Sequence, residues 1–221
     1  MGARRRPLEA ERRREALLDA AHRAFVELGY ERTSLDAVIA EVGGSRRNIY
    51  VEFGGKEGLL AAVVERIIAG VADEARERLE DGAGGDGAAP RDWLVALGTE
   101  FVRRMVRPDV IAVLRQLISL GGAGDAAERL WRAGPERFRA ALEDRLRRED
   151  EAGRLAVADP ARVAALLPDL MRGSLQIELL VGRRDRVTDA EVHRQVEAAV
   201  DLLLPALAPG PRRDGAARPR R

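Results

Sequence analysis

The chain of 221 residues holds 38 basic and 37 acidic side chains and 46% hydrophobic residues, with no cysteine and two histidines. That length admits one small and one larger domain with buried cores, while the lack of cysteine excludes disulfides, thiolate chemistry and cysteine-ligated zinc. The isolated His22 and His193 offer no metal-ligand spacing, no apolar run is long enough to span a membrane, and the arginine-rich start leads into neither an apolar core nor a cleavage site, so a cytoplasmic protein is expected.

The net charge of +1 is segregated: residues 1–14 and 208–221 each carry +4, and the body between them −7. A basic arm at Arg4 to Arg6 suits contact with a phosphate backbone. The first helix is predicted over Leu8 to Leu28, where Ala16, Leu17, Ala20, Ala21, Ala24, Phe25 and Leu28 recur at helical spacing before Gly29 stops it. Thr33 and Ser34 open the next element. Ser34 is an N-cap candidate, and Leu35, Val38, Ile39 and Val42 give a short helix over residues 35–42 with one buried stripe. Gly43 and Gly44 break it, and Ser45 caps a second short helix from Arg46 to Phe53. There Ile49, Tyr50 and Phe53 supply apolar bulk, and Arg46, Arg47 and Asn48 occupy the exposed first turn. Two short helices about a glycine turn are the helix-turn-helix pattern. Arginine grips guanine O6 and N7 through two hydrogen bonds and asparagine does the same for adenine, so this trio has the chemistry for reading base edges.

Lys56, the one lysine of the sequence, starts a helix predicted to run to Leu79. Its ammonium and the unpaired N–H groups of that helix start converge where a phosphate would sit, although Gly55-Lys56 lacks the remaining residues of a nucleotide-binding loop. Residues 81–90 read as a low-complexity loop, followed by helices over 91–106, 108–120, 125–150, 160–182 and 189–207. Pro135 and Pro168 fall inside two of these and are expected to kink or split them. Strand patterns are absent, so the fold is all-α. Trp93, Leu97, Phe101, Met105, Leu114, Leu117, Trp131, Phe138 and Met171 are the bulky residues of the middle helices, either core or the walls of a cavity for an apolar or amphipathic molecule. The last two helices have broad apolar faces that either finish the monomer core or meet a partner, and residues 208–221 form a basic tail expected to be disordered.

With Thr33-Ser34, Gly43-Gly44-Ser45, Ile49-Tyr50, Phe53, Lys56-Glu57 and Leu59-Leu60 in this order and spacing, residues 12–68 resemble the DNA-binding domain of TetR-type (tetracycline-repressor-like) bacterial transcriptional regulators. The resemblance implies an N-terminal three-helix DNA-binding domain over residues 1–57 and a larger helical effector-binding and dimerisation domain over 58–207. It implies DNA contacts from Thr33, Ser34, Ser45, Arg46, Arg47, Asn48, Tyr50 and Lys56, and a homodimer interface from Leu170, Ser174, Leu175, Glu178, Val196, Val200 and Leu203. The expected function is a repressor that binds a palindromic double-stranded DNA operator as a dimer and leaves it when a small-molecule effector binds, in the cytoplasm with the nucleoid, and with neither cofactor nor metal. Two positions depart from the family pattern: Gly44 replaces an apolar turn residue, and Glu52 places a carboxylate beside the DNA. An enzyme would need a converging nucleophile, base or metal cluster, and the carboxylates here are spread over solvated helix faces. In the remaining alternative, a helical scaffold, the helix-turn-helix would serve only packing; salt-dependent binding to a palindromic duplex separates that reading from a regulator.

Overall fold

The computed structural model describes residues 5–80, 88–121 and 124–209, with the side chains of 5–8, 80 and 124–127 excepted. The start of the basic arm, most of the 81–90 loop and residues 210–221 of the basic tail lie outside the described residues. Every regular element described is helical: α1 (Arg5–Arg32), α2 (Leu35–Val42), α3 (Arg46–Phe53), α4 (Lys56–Glu80), α5 (Pro90–Met105), α6 (Pro108–Ser119), α7 (Gly124–Trp131), a π-helical turn (Arg132–Glu136), α8 (Arg137–Glu151), α9 (Pro160–Arg172), α10 (Leu175–Leu180), α11 (Asp189–Leu203) and a closing 3-10 turn (Leu204–Leu207).

The helix ends follow local chemistry. Pro90, Pro108 and Pro160 each stand first in their helix, where the missing N–H costs no hydrogen bond. Thr188 and Glu191 form a reciprocal capping box at the start of α11. Two expected helices are divided. The one expected over 125–150 breaks into α7, the π turn and α8, with Pro135 inside the turn, because proline has no N–H to continue the ladder. The one expected over 160–182 divides at Gly173, whose φ of +52° favours glycine, while Pro168 stays within α9. The last helix stops at Leu203 and tightens into the 3-10 turn around Pro205.

Two apolar cores organise the chain. Leu18, Ala21 and Phe25 of α1, Val38 of α2, Ile49 of α3 and Leu59, Leu60, Val63 and Val64 of α4 are buried together, joined by Val113 and Leu117 of α6. Each such large side chain contributes roughly 1.5–3 kcal/mol on burial. The head therefore draws its core from residues well past the division expected at 57, and Gln116 of α6 adds a 2.9 Å hydrogen bond from its Nε2 to the Phe25 carbonyl. The second core joins the far half of α4 to α5, α8, α9 and α11. Gly98 lets α5 approach closely: a Cβ there would stand 2.7 Å from both Met171 Sδ and Val196 Cγ1. Within this core Glu149 is fully buried and receives Arg145 at 2.8 Å and Arg154 at 2.6 Å. Burial opposes its charge, and the two guanidiniums more than offset that, holding the carboxyl below its ordinary range.

Candidate nucleic-acid interface

The turn between α2 and α3 depends on Gly43 and Gly44, whose φ angles of +78° and +124° lie where L side chains are strained. Ser34 Oγ accepts from the Asp36 N–H at 3.2 Å and Ser45 Oγ from the Asn48 N–H at 3.3 Å, so both serines cap the helices they precede. Buried Ile49 seats α3 on the head, which turns Arg47, Asn48, Tyr50 and Val51 to solvent; Tyr50 is 58% exposed and Val51 80%. A Cβ on Gly44 would meet nothing within 4 Å, so the glycine at this departure from the family pattern leaves the seat of α3 to Ile49.

Arg46 is gripped by Asp36 through two 2.5 Å bonds, Nε to Oδ1 and Nη2 to Oδ2. The Arg46 hydrogen bond holds the Asp36 carboxyl below its usual range, and as the pair is fully exposed its role is to align α3 with α2 rather than to add stability. Only the remaining N–H groups of Arg46 are open to a phosphate or base. Thr33 is turned inward: it is buried, and its hydroxyl is placed 3.1 Å from the Ala24 carbonyl and 2.8 Å from that of Gly29, which satisfies the end of α1. Lys56 donates to the Glu31 carbonyl at 3.1 Å and lies 4.5 Å from the Tyr30 ring centroid, pinning the start of α4 to the end of α1. Glu52, the carboxylate expected beside the DNA, is matched by Arg14 Nε at 3.1 Å. A groove of about 450 Å³ separates α1 from α3, with Arg13, Arg14, Arg47 and Asn48 on its walls.

Behind the head, a partly open cavity of about 360 Å³ is lined by residues of α4 to α10. Of the nine residues expected there, Phe101, Met105, Leu114, Trp131 and Phe138 line it. The other four do not: Trp93, Leu97 and Met171 are sealed in the second core and Leu117 in the head, because each lies on the helix face turned to a neighbouring helix. The sequence reading missed Ile68 and Val71 from α4, Gly134 and Pro135 from the π turn, and the charged Arg139, Asp169 and Arg172. The available signals were Pro135 and Pro168, each inside a predicted helix and each on the cavity wall. Phe101 and Phe138 stack with centroids 4.6 Å apart. Arg172 donates from Nη2 to Asp169 Oδ1 at 2.5 Å and from Nη1 to Gln176 Oε1 at 3.2 Å, and Gln176 Nε2 continues to the Met105 carbonyl at 3.0 Å.

The expected interface residues divide the same way. Leu175, Val196 and Val200 are buried in the chain's own core, so they cannot face a partner; Leu170 and Ser174 are exposed, and Glu178 and Leu203 are half-buried. The outward apolar side chains at this end are Leu166, Leu170, Ile177, Val181 and Leu202. Glu178 is occupied within the chain, by a hydrogen bond from Ser174 and by Arg183 and Arg184, which together hold its carboxyl below the ordinary range.

Among the described residues no helix is long and apolar enough to cross a membrane, and no group of metal-ligating side chains converges. Residues 17–63 match the family described as bacterial regulatory proteins of the tetR family, and residues 92–208 match the AefR-like transcriptional repressor C-terminal domain. The HTH-type transcriptional repressor Rv1474c of Mycobacterium tuberculosis is 28% identical over 191 residues, which cover 86% of this chain and 90% of the relative. A TetR-family regulator from Mesorhizobium loti superposes with a TM-score of 0.78 at 22% identity, covering 90% of this chain and 98% of its own, a likeness of fold. Another, from Pectobacterium atrosepticum, does so with a TM-score of 0.63 at 27% identity, covering 93% of this chain and 98% of its own. With the helix-turn-helix and the helical C-terminal domain both matched over these spans, the chain belongs to the TetR family and is a DNA-binding transcriptional regulator.

Proposed function

We propose that the protein is a cytoplasmic, ligand-responsive repressor that binds a palindromic operator as a homodimer and is released when a small amphipathic molecule fills the cavity between α4 and α10. The observation that carries this reading is the double use of α4. Its first residue, Lys56, fastens it to the end of α1, and Ile68 and Val71 of the same helix are walls of the cavity. A molecule that displaces those walls moves a helix whose other end belongs to the reading head, and thus changes the separation of two recognition helices that must match about one DNA turn.

On this reading Arg47 and Asn48 read bases, while Ser34, Ser45, Tyr50 and the free donors of Arg46 and Lys56 meet the phosphate backbone. The partner surface is the exposed stripe Leu166, Leu170, Ile177 and Val181, with Gly173 and Ser174 between its halves. The test is to sequence the DNA fragments that the purified protein retains and to titrate the recovered site at rising salt. A two-fold symmetric site bound far more tightly than random duplex is expected, with an effector raising its Kd by roughly 5- to 150-fold. Retained fragments with no shared motif, bound no better than random duplex, would overturn it.

A further inference from the structure

The cavity between α4 and α10 is apolar over most of its wall, yet its charged side chains are unbalanced: Arg139 and Arg172 against Asp169 alone. Arg172 is neutralised by Asp169 and fixed by Gln176. Arg139 is different. Its neighbours on α8 are matched to carboxylates, Arg137 to Asp73, Arg145 to Glu149 and Arg147 to Glu143. Among the described residues no carboxylate comes within ion-pair distance of Arg139; its guanidinium lies 4.6 Å from the centroid of the Trp131 ring instead. Stacking on an indole face orients a guanidinium while leaving the N–H groups along its edge unused, and that edge matches a carboxylate through two parallel hydrogen bonds.

We propose that the cavity selects an organic carboxylate on a flat apolar body, with the acid group held by Arg139 at the Trp131 side and the body against Phe101, Phe138 and Met105. This inference rests on the reading of the cavity as the effector site. A carboxylate brings the charge that balances the lining, whereas a cation of the same shape would add a third positive group to a partly enclosed space. A neutral body of equal area gains the apolar contacts without the charge-assisted bonds.

The two readings are separated by calorimetric titration of the full chain with three probes of one shape: 2-naphthoate, 2-naphthamide and 2-naphthylmethylammonium. Each is measured on the native chain, on Arg139→Gln and on Leu114→Trp, which fills the cavity. Naphthoate is expected to bind about tenfold or more tightly than the other two. Arg139→Gln should bring naphthoate down to the affinity of the amide and leave the amide unchanged, and Leu114→Trp should abolish all three. Binding that is lost in Leu114→Trp but is equally tight for amide or ammonium, or a carboxylate preference that survives Arg139→Gln, overturns the inference while the effector site stands. Failure of all three to bind, or binding that ignores Leu114→Trp, overturns both.

Discussion

Gly134, in the π-helical turn, lies against Ile68 of α4 so closely that a Cβ on residue 134 would overlap the Ile68 Cγ2 methyl and stand 3.3 Å from the Ile68 Cβ. A wider turn puts the missing side chain of Gly134 where α4 passes, so the wall of the cavity and the helix that leaves the head are in direct contact. Gly134→Ala should lower stability by about 1–3 kcal/mol, the cost of forcing a methyl into a packed contact, and should shift operator affinity by displacing α4. Thermal melting and operator titration check this together; a variant with native melting and native operator affinity would mean the two elements are not pressed together in solution.

The head offers a contrast between two kinds of residue that the sequence places side by side. Replacing exposed Arg47 or Asn48 with alanine should cost about 1–3 kcal/mol on the operator and far less on random duplex. Thr33→Val should do the reverse. Its hydroxyl serves the Ala24 and Gly29 carbonyls, so the variant should melt earlier by an amount worth about 1–2 kcal/mol while the folded protein keeps its operator affinity. Equal losses on operator and random duplex for Arg47→Ala and Asn48→Ala would remove them from base reading.

For assembly, the discriminating pair is an outward and an inward position. Leu166→Glu combined with Ile177→Glu places two charges on exposed apolar positions and should yield a folded monomer with weak operator binding. Val196→Glu buries a charge in the chain's own core and should unfold it. Sedimentation of the double variant decides the matter: a dimer of unaltered mass places the interface elsewhere.

The capping serines, the break at Gly29 inside α1, the stop at Gly43 and the exposed first turn of α3 were legible in sequence because each is decided within four or five residues, by hydrogen bonding at a helix end or by a positive φ. The all-α fold followed from the apolar spacing. What stayed hidden was set by neighbours far along the chain. Val196 and Val200 share an apolar face, and only the approach of α11 to α5 across Gly98 decides that the face belongs to the core. The Arg46 to Asp36 pair, ten residues apart, requires the crossing of α2 and α3 before either residue is seen as a partner rather than a free charge. Arg139 was indistinguishable from the other arginines of its helix until Trp131 took the place of a carboxylate.

His22 supplies a pH test of the junction between head and body. It stands on α1 with Nε2 buried and lacking a hydrogen bond, 3.7 Å from Asp109 Oδ2 at the start of α6, in a recess shared with Arg66, Glu74, Arg104 and Arg107. Burial depresses its pKa below 6.5; Asp109 and Asp19 act to raise it, Arg66 and Arg107 to lower it, and the outcome is a lowered value. The folded protein thus keeps the ring neutral at pH values where the unfolded chain already takes up a proton. Because the unfolded state then binds more protons, stability falls as pH drops below about 6.5 and levels off only below the lowered folded pKa. Urea midpoints at about pH 7.5, 6.5 and 5.5 should therefore decline for the native chain and decline less for His22→Gln, which cannot take the proton in either state. Parallel pH curves for the two proteins would mean that the ring titrates alike whether the chain is folded or not, and that α6 leaves it open to water.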